Sequence, residues 1–158
     1  MHPVTTRALA LGIAGALLPL TPALAADAET LERGRYVNII GGCNDCHTPD
    51  YALSEGQTPE ARWLTGDVLG WHGPWGTTYA PNLRLKAAAM SVEEWVEMSR
   101  TLRTRPPMPW FNLNQMSAED AAALYHYIRS LGEPGEPAPA ALPPGETPPV
   151  PYADFVVK

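Results

Sequence analysis

Cys43 and Cys46 are the only two cysteines in a chain of 158 residues, and His47 follows the second at once, giving the stretch "CNDCH". Each chemistry that this pattern can serve needs a different structure around it. A thiol–disulfide switch of the Cys-x-x-Cys kind needs a strand before the motif and a helix opening at it. A structural zinc site needs four Cys or His ligands. Cys43 and Cys46 would then have to enlist residues such as His72 and His126, whose spacing is not finger-like. Covalent haem attachment needs two thiols that add across the vinyl groups of one porphyrin edge, with the next residue carried under the iron.

The flanks favour haem. Residues 28–41 are predicted to be helical, with Leu31, Gly34, Val37 and Ile40 on one face and Glu29, Glu32, Arg33 and Arg35 facing elsewhere, and Gly41-Gly42 breaks the helix before Cys43. No strand run lies nearby. Cys43 and Cys46 are therefore read as the covalent attachment points of one haem c, and His47 as its proximal iron ligand.

The chain opens as an export signal does. Arg7 is followed by the thirteen-residue apolar run "ALALGIAGALLPL", and then by "TPALA" with small residues at Ala23 and Ala25. The run is too short to cross a hydrocarbon layer of about 30 Å. Residues 1–25 are expected to be a cleaved signal peptide, 26–131 the folded domain, and 132–158 a proline-rich extension. The protein is then periplasmic, with no stable membrane span. Without Arg7, ten basic residues stand against seventeen acidic ones, a formal charge of −7. That balance argues against nucleic acid and anionic membranes and favours redox partners with a basic docking face.

Two further helices are expected. One starts at Ser91, which forms a capping box with Glu94, carries Val92, Trp95, Val96 and Leu102, and stops at Pro106-Pro107. The other starts at the capping Ser117, buries Leu124, Tyr127, Ile128 and Leu131, and ends at Gly132. Residues 48–82 show neither helical nor strand periodicity, and a long irregular stretch of this kind is usually wrapped around something. The expected fold is all-α: three to four helices and long loops packed around a covalently attached haem. The tail has eight prolines between residues 132 and 151. It should be extended, with Tyr152, Phe155 and Val156 either docking back or leaving the tail solvated.

A histidine-held haem iron commonly takes methionine on its other side in electron-transfer proteins. Met98 lies inside a helix, and Met90 and Met116 each precede a helix cap. Met108 stands between prolines in "RPPMPWF", where the chain is stiff enough to aim a thioether. Met108 is the expected distal ligand, His72 in "GWHGPWG" its rival, and an open sixth position the third case. His126 is expected to face solvent.

Taken together, "RGRYV", "CNDCHT", the Met of "PPMPW" and the last helix "AEDAAALYHYIRSL" resemble the class I, mono-haem cytochromes c. More narrowly, "GPWGTTYAPNL" and "SVEEWVEMSR" look like the cytochrome c domains that accompany bacterial periplasmic dehydrogenases for alcohols, aldehydes and sugar acids. The resemblance implies that Gly34 lets the first helix cross the last beside Tyr127. It places Trp75, Tyr79 and Asn82 near the haem, and gives the Pro74 carbonyl as acceptor for His47 Nδ1. It implies an electron carrier, not an enzyme, which cycles one His/Met-ligated haem between Fe(II) and Fe(III). An obligate electron-transfer subunit of a periplasmic dehydrogenase, strapped on by the tail, is the alternative; a haem sensor or enzyme is the third. One haem motif and no downstream membrane helix depart from the subunit pattern.

Overall fold

The computed structural model describes residues 26–132 and 135–156. The expected signal segment lies outside the described residues. Six helices occur in the order α1 (Ala28–Ile40), α2 (Cys43–His47), α3 (Leu83–Ala88), α4 (Val92–Thr101), α5 (Trp110–Leu113) and α6 (Ala118–Ser130). Strands β1 (Gly70–Gly73) and β2 (Gly76–Tyr79) lie between α2 and α3, and β3 (Tyr152–Asp154) is in the tail.

The three long helices start where their caps dictate. Asp27 accepts from the Thr30 amide at 2.7 Å, Ser91 and Glu94 close a full capping box, and Ser117 accepts from the Asp120 amide at 3.0 Å. The buried face of α1 differs from the expected one. It consists of Gly34, Val37 and Asn38, whereas Ile40 is 65% exposed. A strict spacing of three drifts around a 3.6-residue helix, so by Ile40 the row has turned toward solvent.

α1 and α6 cross at Gly34. A Cβ there would lie 2.1 Å from the Ala123 carbonyl oxygen and 2.6 Å from Tyr127 Cβ, so only glycine allows this approach. Arg33 and Asp120 pair at the rim of the crossing, 2.7 Å apart. The core gathers Val37, Trp63, Leu64, Ala87, Trp95, Leu124, Tyr127 and Ile128. The Tyr127 hydroxyl donates to Glu60; burial first, and then that carboxylate, raise its pKa.

Arg84 on α3 is buried, and its hydrogen bonds go to backbone carbonyls, with the Glu60 charge acting in its favour. It donates to the carbonyls of Trp63 (2.7 Å), Leu131 (2.6 Å), Glu60 (3.0 Å) and Ala61 (3.1 Å). One side chain thereby ties the loop before β1 to the end of α6. Burial lowers its pKa from the usual value, but arginine stays protonated in proteins.

Two expectations are corrected. Among the described residues the chain is mostly helical with a small sheet of order β2-β1-β3 rather than all-α, and six helices are present there rather than three or four. α2, α3 and α5 span five, six and four residues, too few for a 3.6-residue period to show in sequence. The strands of three or four residues are likewise too short for alternation. The tail does dock. β3 pairs in parallel with β1, and Phe155 packs on Trp71 and Trp75 at centroid distances of 5.9 and 5.5 Å.

Candidate functional site

The "CNDCH" stretch is itself one helical turn, α2, preceded by a helix and not by a strand. The thioredoxin-like arrangement is therefore not the one present. Among the described residues, no group of three or more His, Cys, Asp and Glu is placed to hold a metal ion. His72 does not join Cys43 and Cys46; its Nδ1 lies 2.9 Å from Thr77 Oγ1 and its ring meets Tyr152 edge-on. His126 is half-buried and meets Tyr125 edge-on, where a solvent-facing ring was expected.

The turn is held rigidly from below. Thr48 Oγ1 donates to Asn44 Oδ1 at 2.8 Å and accepts from the Leu64 amide at 2.8 Å. The Gly66 amide donates to the His47 carbonyl at 2.8 Å. His47 is buried, with Nδ1 2.9 Å from the Pro81 carbonyl oxygen. A carbonyl can only accept, so Nδ1 carries the proton and Nε2 keeps its lone pair. Burial pushes the imidazole below its usual pKa, Pro81 opposes this, and Lys86 adds to it. The ring is thus held neutral, the form that binds metal. Burial pushes the Cys43 thiol up to about 11. Cys46 is also raised, by burial first and then by Asp45 and Asp67.

Pro74 is not the acceptor that the resemblance implied. It sits in the turn between β1 and β2, while Pro81 lies just before α3, where the chain passes His47. Trp75 is displaced too: its Nε1 reaches the Trp71 carbonyl at 3.3 Å, its ring packs at a tilt against Phe155, and it is not in the wall of the cavity described below. Trp71 takes the place in the cavity wall. Successive residues of a strand face opposite sides, so with Trp71 turned in, His72 is turned out. The "GWHG" stretch held that alternation, but four residues did not announce a strand.

Cys43, Cys46 and His47 open onto a cavity of about 340 Å³, within the range of cofactor sites. Trp71, Tyr79, Leu83, Trp95 and Leu124 give it an apolar lining, and Lys86 and Arg105 add charge. Met98, Met108 and Met116 also belong to the wall. Met98 and Met116 pack against the hydrophobic core, as does Met90 outside the wall; Met108 is not part of that packing. Its loop is pinned by Thr78 Oγ1, which donates to the Pro106 carbonyl at 2.8 Å, and by the Trp110 amide, which donates to the Met108 carbonyl at 2.8 Å. Asn82 does not line this cavity. It is the N-cap of α3, accepting from the amides of Arg84 (3.0 Å) and Leu85 (3.1 Å).

A model of the cytochrome c family matches residues 31–132, more than half of the chain. The chain belongs to the cytochrome c family. Searches of curated proteins and of solved structures found no match. Membership makes this an electron-transfer haem protein with covalently bound haem c. The residues present fit that group: two neutral thiols one turn apart, a neutral imidazole with a free Nε2, and a largely apolar wall. Trp71 and Trp95, both in the wall, carry buried indole N–H groups without an acceptor. Such a donor costs about 1–3 kcal/mol when left unpaired, and a macrocycle bearing carboxylates brings acceptors to this part of the molecule. No helix among the described residues is long and apolar enough to cross a membrane.

Proposed function

We propose that the chain is a periplasmic carrier of single electrons, with haem c bonded to Cys43 and Cys46 and ligated by His47 and Met108. The observation that carries this reading is the gathering of both thiols, His47 and Met108 in the wall of one cavity. Haem c supplies a one-electron ferrous/ferric couple. The chain's residues hold it: Pro81 fixes the imidazole, and the proline-braced, Thr78-pinned loop fixes the thioether. Methionine is a soft ligand that favours the reduced state and raises the reduction potential relative to a second imidazole. His72, bonded to Thr77 and outside the cavity wall, is the weaker candidate.

The test is spectroscopic. Protein exported with its haem and denatured in alkaline pyridine should give the spectrum of a haem bonded through two thioethers. The native ferric spectrum should report a histidine–methionine pair that Met108→Ala abolishes. A parent protein whose spectrum and uptake of added ligand already match those of M108A has another sixth ligand or none.

Net charge supports a redox partner with a basic docking face. Asp45 and Asp67, close enough to Cys46 to raise its pKa, carry the acidic sign to the cavity, while Lys86 and Arg105 add positive charge to its wall. Charge steering of this kind weakens with salt. Reduction by the partner should slow as ionic strength rises. The dehydrogenase-subunit alternative drew on the tail as a strap to a larger enzyme. Here β3 and Phe155 engage the chain's own domain, which favours the free carrier.

A further inference from the structure

The family match ends at residue 132, yet the chain beyond it is built onto the wall of the haem cavity. Thr77, fully buried, exchanges two backbone hydrogen bonds with Leu142, at 3.1 and 2.9 Å. The Gly70 amide donates to the Pro151 carbonyl at 3.0 Å, and the Phe155 amide to the His72 carbonyl at 2.9 Å, on either side of the β1–β3 pairing. Gly76 has φ +93°, and a Cβ there would lie 2.3 Å from the Leu142 carbonyl oxygen. The hairpin backbone therefore accommodates the tail at a distance that a side chain would forbid.

Two residues of the cavity wall are held from the tail side. Arg105 Nη1 donates to the Leu142 carbonyl at 3.0 Å and to the Trp75 carbonyl at 3.0 Å, so one guanidinium clamps strap to hairpin while lining the cavity. Trp71, also in the wall, has Phe155 against its ring. A second cleft, of about 410 Å³, lies between residues 137–141 and the domain and shares Thr78, Tyr79, Pro81, Thr104 and Arg105 with the haem cavity.

We propose that residues 135–156 are an intramolecular strap that positions Trp71 and Arg105 in the cavity wall and so governs how far the haem site is closed to water. This rests on the reading of that cavity as the haem site. Leu142 and Phe155 are the positioning residues, acting through Arg105 and Trp71. Solvent access is one of the levers a protein has on haem potential. Loosening the strap admits water, which favours the more highly charged oxidised state, and lowers the potential.

The experiment compares the haem-loaded full chain with Phe155→Ala and Leu142→Pro, the second removing the amide that donates to Thr77. Both lie outside the hydrophobic core, and the ferric spectrum reports that the fold and axial pair persist. Three quantities are read: protease cleavage within the strap, the midpoint potential, and the rate at which the ferric protein takes up imidazole. Both variants should be cleaved faster, titrate at a lower potential and take up imidazole several-fold faster, and Phe155→Tyr should restore parent values. Faster cleavage with unchanged potential and uptake overturns the proposal, as does cleavage that stays at the parent rate. If the parent chain itself shows no histidine–methionine haem, the carrier reading fails independently of the strap.

Discussion

His47 Nδ1 lies 2.9 Å from the carbonyl oxygen of Pro81, and the residue after Pro81 is the cap of α3. The imidazole is thus oriented by a backbone oxygen whose own position is fixed by Asn82. Hydrogen bonds of this sort set the tautomer and basicity of a ligating histidine.

Asn82→Ala should therefore do two things. Loss of the cap costs about 1 kcal/mol, read as a lower midpoint in urea unfolding. Loosening of the Pro81 carbonyl also shifts the reduction potential, which an ordinary cap would leave alone. Asn82→Asp keeps an acceptor oxygen for the Arg84 and Leu85 amides and should recover most of the stability. A potential identical in parent and N82A would separate the cap from the ligand.

Gly34→Ala tests the helix crossing. The new methyl group meets the Ala123 carbonyl and Tyr127 Cβ, both well inside contact distance, and neither is the free end of a flexible side chain. α1 and α6 must move apart, at a cost of about 1–3 kcal/mol for overpacking. Elsewhere in an exposed helix the same substitution would stabilise. A G34A protein that melts at or above the parent temperature would refute the close crossing.

Part of this crossing was legible in the sequence, because caps are local, although the three-residue row of α1 missed its buried face. Ser91, Glu94 and Ser117 announced their helices, and Gly34 its proximity to Tyr127 through resemblance. Because the motif is contiguous, the sequence could place Cys43, Cys46 and His47 together on one turn, and they face one cavity. The surroundings were not legible where the chain returns from a distance. The acceptor for His47 is 34 residues away, and "GPW" beside an aromatic run gave no reason to prefer Pro81 over Pro74. Trp71 and Trp75 both meet Phe155, but the short hairpin places only Trp71 in the cavity wall. Arg84 had no signal at all: its partners are carbonyls, which every residue has.

Arg84→Met is the severest substitution expected. It preserves much of the volume but leaves the carbonyls of Ala61, Trp63 and Leu131 without the Arg84 donor, while that of Glu60 keeps the Trp63 amide. Unpaired buried acceptors cost about 1–3 kcal/mol each, partly relieved by water, so a net loss of roughly 3 kcal/mol is expected in urea unfolding. Arg84→Lys should recover little, since one ammonium cannot span the four carbonyls of a planar fork. Full stability in R84M would show that the loop and α6 are held by packing alone.

Asp120 gives the pH dependence. Its hydrogen bond to Arg33 holds the carboxyl below the usual 3.8, against a smaller opposing effect of burial. A group whose folded value is depressed contributes stability that is complete above its unfolded value and disappears as pH falls through the folded one. Asp120→Asn keeps the shape and removes the charge. The parent should therefore exceed D120N in stability near neutral pH, and the gap should close as pH is lowered below about 4. The effect is small, because Arg33 is half exposed and the pair is screened by solvent, and added salt should narrow the gap at neutral pH as well. Urea unfolding of both proteins from pH 7 down to pH 3, at low and high salt, reads both trends. A gap that neither closes with acid nor narrows with salt would mean that the charge of Asp120 is not what separates the two proteins.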